Sequence, residues 1–176
     1  MANPIIRGFR SLTVFSGRDR RGQFWPYAGV VVVLTYLLAG VGGALIMNSI
    51  MAELPLAMAD GGTGQTFMPD FTAFFLVMAA TFALAIILLA AAVSRRLHDT
   101  GKSALFGLMP IPFIVISCTF FPIMMRTVTE AAEPNLALFF LTFISNILYM
   151  VALITLIVLL CFKGANGPNR FGNEPV

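Results

Sequence analysis

Between two long apolar runs the chain reads VSRRLHDTGKSALF, from Val93 to Phe106, and gathers its only histidine, a carboxylate and three cations into one short loop. His98 beside Asp99 offers a base and its orienter, or half of a metal site. "GKS" ends as a phosphate-binding loop does, and "DTG" is the core of an aspartic protease site. Each reading needs a context that this chain lacks. A phosphate loop requires a glycine five residues before Gly101, where Arg96 stands, and a strand before it. An aspartic protease needs two carboxylates sharing one proton, and Asp99 has no acidic neighbour in sequence. Adjacent helical residues point about 100° apart, so His98 and Asp99 do not converge on one ion. No catalytic, metal-ligating or cofactor-binding residue is read here, and no cofactor is expected. Gly101 is suited to ending one helix and Ser103 to capping the next, leaving His98 and Asp99 to hold a polar turn.

The elements that position this turn follow from composition. Of 176 residues, 59% are hydrophobic and 11% charged, whereas a soluble domain carries roughly 25% charged residues. Four runs, 24–47, 71–93, 104–125 and 136–162, contain no Asp, Glu, Lys, Arg or His. Each is long enough to cross about 30 Å of hydrocarbon at 1.5 Å per residue. The expected fold is an all-α polytopic membrane protein: an arm over 1–23, a four-helix transmembrane domain over 24–162, and a tail over 163–176.

Charge orients it. Arg7, Arg10, Arg18, Arg20 and Arg21 precede the first span; Arg95, Arg96 and Lys102 follow the second; Lys163 and Arg170 follow the fourth. Of the 11 cations only Arg126 lies in the alternate segments, among Glu53, Asp60, Asp70, Glu130 and Glu133. The positive-inside rule therefore places both termini in the cytoplasm. "LAMAD" offers Ala57-x-Ala59 as a cleavage site, but the apolar run before it exceeds a signal core of 7–15 residues. Cys118 and Cys161 fall at different depths, which excludes a disulfide, and both read as small buried residues.

Within the arm, Ile5, Ile6, Phe9, Leu12 and Thr13 share one helical face, opposite Arg7, Arg10 and Ser11, so this segment can lie in the headgroup layer. Small residues four apart, Ala39/Gly43 and Ala79/Ala83, predict close helix packing. Pro110, Pro112 and Pro122 predict a bent or partly unwound third span. Thr142, Ser145, Asn146 and Thr155 in the fourth are expected to bond across helices or back to the backbone.

Three basic segments meet one leaflet. A cluster of Arg18, Arg21, Arg95, Arg96, Lys102 and Arg170, edged by Trp25 and Phe171, is expected to attract anionic headgroups or a protein partner. Arginine can also grip phosphate bidentately. Asp99 is expected to pair with Arg18, Arg21 or Arg170. Membrane lipids are thus the expected partners, a homo-oligomer or larger membrane complex is left open, and no nucleic acid is expected.

Three motifs, FSGRDRRGQFW, RRLHDTGKS and GANGPNRFG, frame the chain at these places. With them the sequence resembles the small bacterial inner-membrane family called domain of unknown function 805. The family's positions fall on Gly17, Arg18, Arg21, Phe24 and Trp25; on Arg95, Arg96, His98, Asp99, Gly101 and Ser103; and on Gly167, Asn169, Arg170 and Gly172. Gln23 stands where the family usually carries an acid, and Ala104-Leu105-Phe106 replaces a Gly- and Trp-rich start to the third span. The resemblance implies four inner-membrane helices and no known activity.

Three functions compete. A non-enzymatic membrane protein with a basic inner face is favoured by the cations. A small transporter or channel for a neutral solute is favoured by the proline-broken span, although no span holds an ionisable residue. An enzyme acting on a lipid headgroup rests on His98 and Asp99 alone. Topology is tested by cysteine labelling from outside in a chain whose own cysteines are replaced. A probe at Gly62 is expected to react and one at Ser103 to stay silent, and the reverse pattern refutes the orientation.

Overall fold

The computed structural model describes residues 3–59, 71–130 and 135–173, and stretch 60–70, with its Gly-rich segment, lies outside them. The described chain forms α1 (Pro4–Arg10), α2 (Arg21–Ala59), α3 (Thr72–Asp99), a 3-10 turn (Ala104–Leu108), α4 (Ile111–Glu130) and α5 (Leu136–Cys161). Four stretches, beginning at Arg21, Thr72, Ala104 and Leu136, are long and apolar enough to cross a membrane. The protein is an all-helical multi-pass membrane protein. Among the described residues the only β-type pairing is an isolated bridge between Asn169 and Gly172.

The first span is longer than its apolar run. α2 continues past Met47 to Ala59, through Asn48, Ser49 and Glu53, which are polar without being helix breakers, and on past Pro55. Its 39 residues extend about 58 Å at 1.5 Å per residue, well beyond the hydrocarbon. The third span breaks where its first prolines lie. The 3-10 turn ends at Leu108, α4 starts only at Ile111, and Pro122 sits inside α4 without ending it.

The helices pack most tightly at one end. Phe24, Tyr27, Ala28 and Val31 of α2 meet Ala92 and Leu97 of α3 and Leu156 and Leu160 of α5. Tyr27 donates from its hydroxyl to the Leu88 carbonyl at 2.7 Å, fixing the depth of α2 against α3. Farther along the same pair, a Cβ on Gly42 would stand 2.9 Å from Val77 and one on Gly43 3.2 Å from Phe74. Glycine therefore sets the approach of these backbones, as expected for Gly43. Ala83, expected in the seam, is exposed instead. α4 joins α3 through an edge-on contact of Phe75 and Phe121 at 5.3 Å.

The hydroxyls inside α5 stay within it. Thr142 and Ser145 donate to the Leu138 and Leu141 carbonyls, and the Asn146 amide donates to the Thr142 carbonyl. Most large apolar side chains of the spans remain exposed, which suits a solvent of lipid tails. Cys118 and Cys161, expected to be buried, are exposed too.

α1 is docked against α2. Asn3 caps it by accepting from the Ile5 N–H at 2.9 Å, and Pro4 opens its first turn. The helix stops at Arg10, short of Leu12 and Thr13 of the expected apolar face; of that face Ile5 and Leu12 are half-buried, while Ile6, Phe9 and Thr13 are exposed. Phe9 meets Tyr27 edge-on at 5.2 Å, and Gly8 lies so close under the Tyr27 ring that any Cβ there would collide. Tyr27 is 1% exposed and held by Leu88, so it cannot step aside. Gly8→Ala is therefore expected to undock the arm. In detergent the melting temperature should fall by several degrees, and trypsin should cut at Arg10 faster than in the parent chain.

Candidate functional site: a buried arginine–aspartate clasp

The end of α3 begins the site. The Lys102 N–H donates to the Leu97 carbonyl and the Gly101 N–H to the His98 carbonyl, with Gly101 at φ +76°. This closes the helix in a Schellman turn. Ser103 then caps the following turn by accepting from the Leu105 N–H. The last turn of α3 presents Arg95, Arg96 and Asp99 inward, exposed by only 4%, 0% and 3%.

Two carboxylates organise these cations. Asp99 accepts from Arg18 Nε at 3.2 Å on one oxygen and from Arg96 Nη1 on the other. Asp19 accepts from Arg95 Nε at 2.7 Å and from Arg7 Nη2 at 2.9 Å. Three buried arginines thus face two buried aspartates, and backbone carbonyls absorb the excess donors. Arg18 binds the Gly167 carbonyl at 2.7 Å and the Ala165 carbonyl at 2.6 Å. Arg95 binds the Ser11 carbonyl at 2.8 Å and that of Val14. Arg96 binds the carbonyls of Leu160 and Phe162 at the end of α5, where a cation also complements the helix dipole.

The backbone repeats these ties. The Asp19 N–H donates to the Arg95 carbonyl at 3.2 Å, and the Ala165 N–H to the Asp99 carbonyl at 2.8 Å. Gly164 lies against the Asp99 carboxylate with no room for a Cβ. His98 stacks on Phe171 at 4.0 Å between centroids, and the Asn169 amide donates to the His98 carbonyl at 3.0 Å. The arm, the end of α3 and the tail are thereby fastened into one cap.

The expected six-cation surface is divided by the fold. Arg18, Arg95 and Arg96 are buried and have given their donors to internal acceptors, so they present no face to a headgroup. Burying them costs less with carboxylates and carbonyls than with nothing. Arg21 and Arg170 are exposed, Lys102 is half-buried, and Arg170 lies over the Phe171 ring at 4.6 Å. Of the three partners expected for Asp99, Arg18 is the one that pairs with it, joined by Arg96. His98 and Asp99, adjacent in sequence, turn to different neighbours, Phe171 and the arginines. They do not form a base–orienter pair. Among the described residues no group of three His, Cys, Asp or Glu side chains gathers to hold a metal.

Asp19 was legible only as one acid within a run of arginines, which is the available hint that it neutralises them. Gly8 and Gly164 carried no signal, because their role is the absence of a side chain at a contact made across the chain.

A four-span membrane protein closed at one end by a buried arginine–aspartate clasp is the class that this geometry defines. The chain belongs to the family described as protein of unknown function (DUF805), which matches residues 12–173. No curated protein and no solved structure matches the chain.

Removing the Asp99 charge tests the clasp. In Asp99→Asn two buried guanidinium groups lose their shared counter-ion, a loss that costs about 3–5 kcal/mol for a broken buried pair. A chain of this size melts about 2–4 °C lower per kcal/mol. The melting temperature in detergent is expected to drop by about 6 °C or more, and a change within error would contradict the clasp.

Proposed function

We propose that the protein is a non-catalytic, multi-pass protein of a bacterial inner membrane, with both termini in the cytoplasm, whose basic end rests on anionic lipid headgroups. The observation that carries this reading is the division of the cations. The clasp consumes Arg18, Arg95 and Arg96, and Arg21, Lys102 and Arg170 are left toward the surface of the same cap. The distribution of charge along the sequence supports the orientation.

A cation near an anionic leaflet contributes about 1 kcal/mol. Screening acts beyond about 8 Å at physiological salt, so neighbouring cations hold a headgroup better than scattered ones. Trp25, 38% exposed, and Phe171 supply apolar rings at the edge of this surface. The buried clasp gives the surface a fixed shape, so its cations meet the membrane without ordering a loop first.

The test is lipid retention through purification, read by native mass spectrometry. Arg21, Lys102 and Arg170 replaced together by Gln should release phosphatidylglycerol and cardiolipin while the melting temperature stays near that of the parent. Arg126→Gln, among the acids of the opposite segments, should keep them. Equal retention in both variants overturns the lipid reading and leaves these cations as a topology signal.

A further inference from the structure

Away from the clasp, α2 and α3 separate enough to leave a groove of about 150 Å³, lined by Val32, Thr35, Tyr36 and Ala39 from one helix and Thr81, Phe82 and Ala85 from the other. Its wall is almost wholly apolar. The Thr35 hydroxyl donates to the Val31 carbonyl at 2.8 Å and the Thr81 hydroxyl to the Val77 carbonyl at 2.6 Å. Both threonines have thus spent their donors on their own helices.

Tyr36 is different. It lies eleven residues beyond Trp25, about 16 Å along the helix at 1.5 Å per residue. That is close to the bilayer midplane if Trp25 marks the interface. It is 73% exposed, and its hydroxyl has no hydrogen-bond partner among the described residues. A phenol too deep to reach the headgroups leaves a donor unsatisfied in hydrocarbon, which is costly.

The size of the groove and this donor together describe an occupant. An apolar cavity of about 150 Å³ takes a benzene-sized ring and stays dry. A plain acyl chain fills such a space but carries no acceptor at the midplane. We propose that the α2–α3 groove binds the head ring of a quinone-type molecule dissolved in the bilayer, with Tyr36 donating a hydrogen bond to a ring carbonyl. The ring fills the apolar space, the carbonyl satisfies the phenol, and the hydrocarbon tail stays in the lipid. Binding alone is proposed, with no electron transfer.

The full-length protein in nanodiscs tests this with a decyl-substituted benzoquinone, and with decylbenzene as a ring without carbonyls. Saturable binding of the quinone is expected, with decylbenzene weaker. Tyr36→Phe should weaken the quinone about fivefold, the loss of one neutral hydrogen bond, and leave decylbenzene unchanged. Ala85→Leu fills the groove and should abolish both. Because Tyr36 is exposed, its variant keeps the test valid even if Ala85→Leu fails to fold. Absent saturable binding, equal affinity for the two rings, or equal quinone affinity in Tyr36→Phe each overturns the proposal. So does a groove that proves to be filled by a second copy, seen as a dimer that Ala85→Leu dissociates.

Discussion

The Asp99 carboxylate, held between Arg18 and Arg96, is the interaction on which the rest of this structure depends. It is the point where three distant parts of the chain meet. Arg18 comes from the arm and carries the tail through the carbonyls of Ala165 and Gly167. Arg96 comes from the same turn as Asp99 and carries the end of α5 through Leu160 and Phe162. Among the described residues the other buried acid, Asp19, is engaged by Arg7 and Arg95. Buried pairs of this kind add little stability over a well-packed apolar core, yet they are costly to leave incomplete. Their effect is to make one arrangement of the ends far better than any other.

That specificity matters because the spans themselves provide little of it. Lipid tails are as apolar as leucine, so helix association in a membrane relies on close packing and on polar ties. Along α2 and α3 the close packing comes from Gly42 and Gly43, and along α5 the hydroxyls bond inward to their own backbone. The apolar core shared by α2, α3 and α5 sits immediately beneath the clasp, at Phe24, Val31, Leu97 and Leu160. Charge fixes the ends, and the packing follows from there.

Much of this was legible from sequence, for a physical reason: crossing a membrane demands long uninterrupted apolar runs, and nothing else in a chain of this size does. The runs located the spans, Gly101 and Ser103 located the turn, and the prolines located the break in the third span. Helix ends were less legible. α2 runs on to Ala59, because hydropathy marks where lipid ends and not where a helix must end. The cap was half legible. Its residues could be named from their charge, but charge alone does not distinguish an arginine facing a headgroup from one facing an aspartate. Arg95 and Arg21 look alike in the sequence. The first is buried on Asp19 and the second is exposed, a difference made by the path of the arm between Ser11 and Asp19.

The clasp also has a place in time. Its longest ties join Arg18 to carbonyls 147, 149 and 154 residues later, so they form only after the last span has been synthesised, since chains emerge from the N-terminus onward. Until then Arg18 has no tail to hold and Arg96 no end of α5, whereas the partners of Arg95, in the arm, are already made. While the spans insert, Arg18 and Arg96 are not yet so tied, and cations are what orients spans. The charges of Arg18 and Arg96 are therefore available to the inserting chain first, and only once α5 and the tail arrive do they become a fastening closed to the surface.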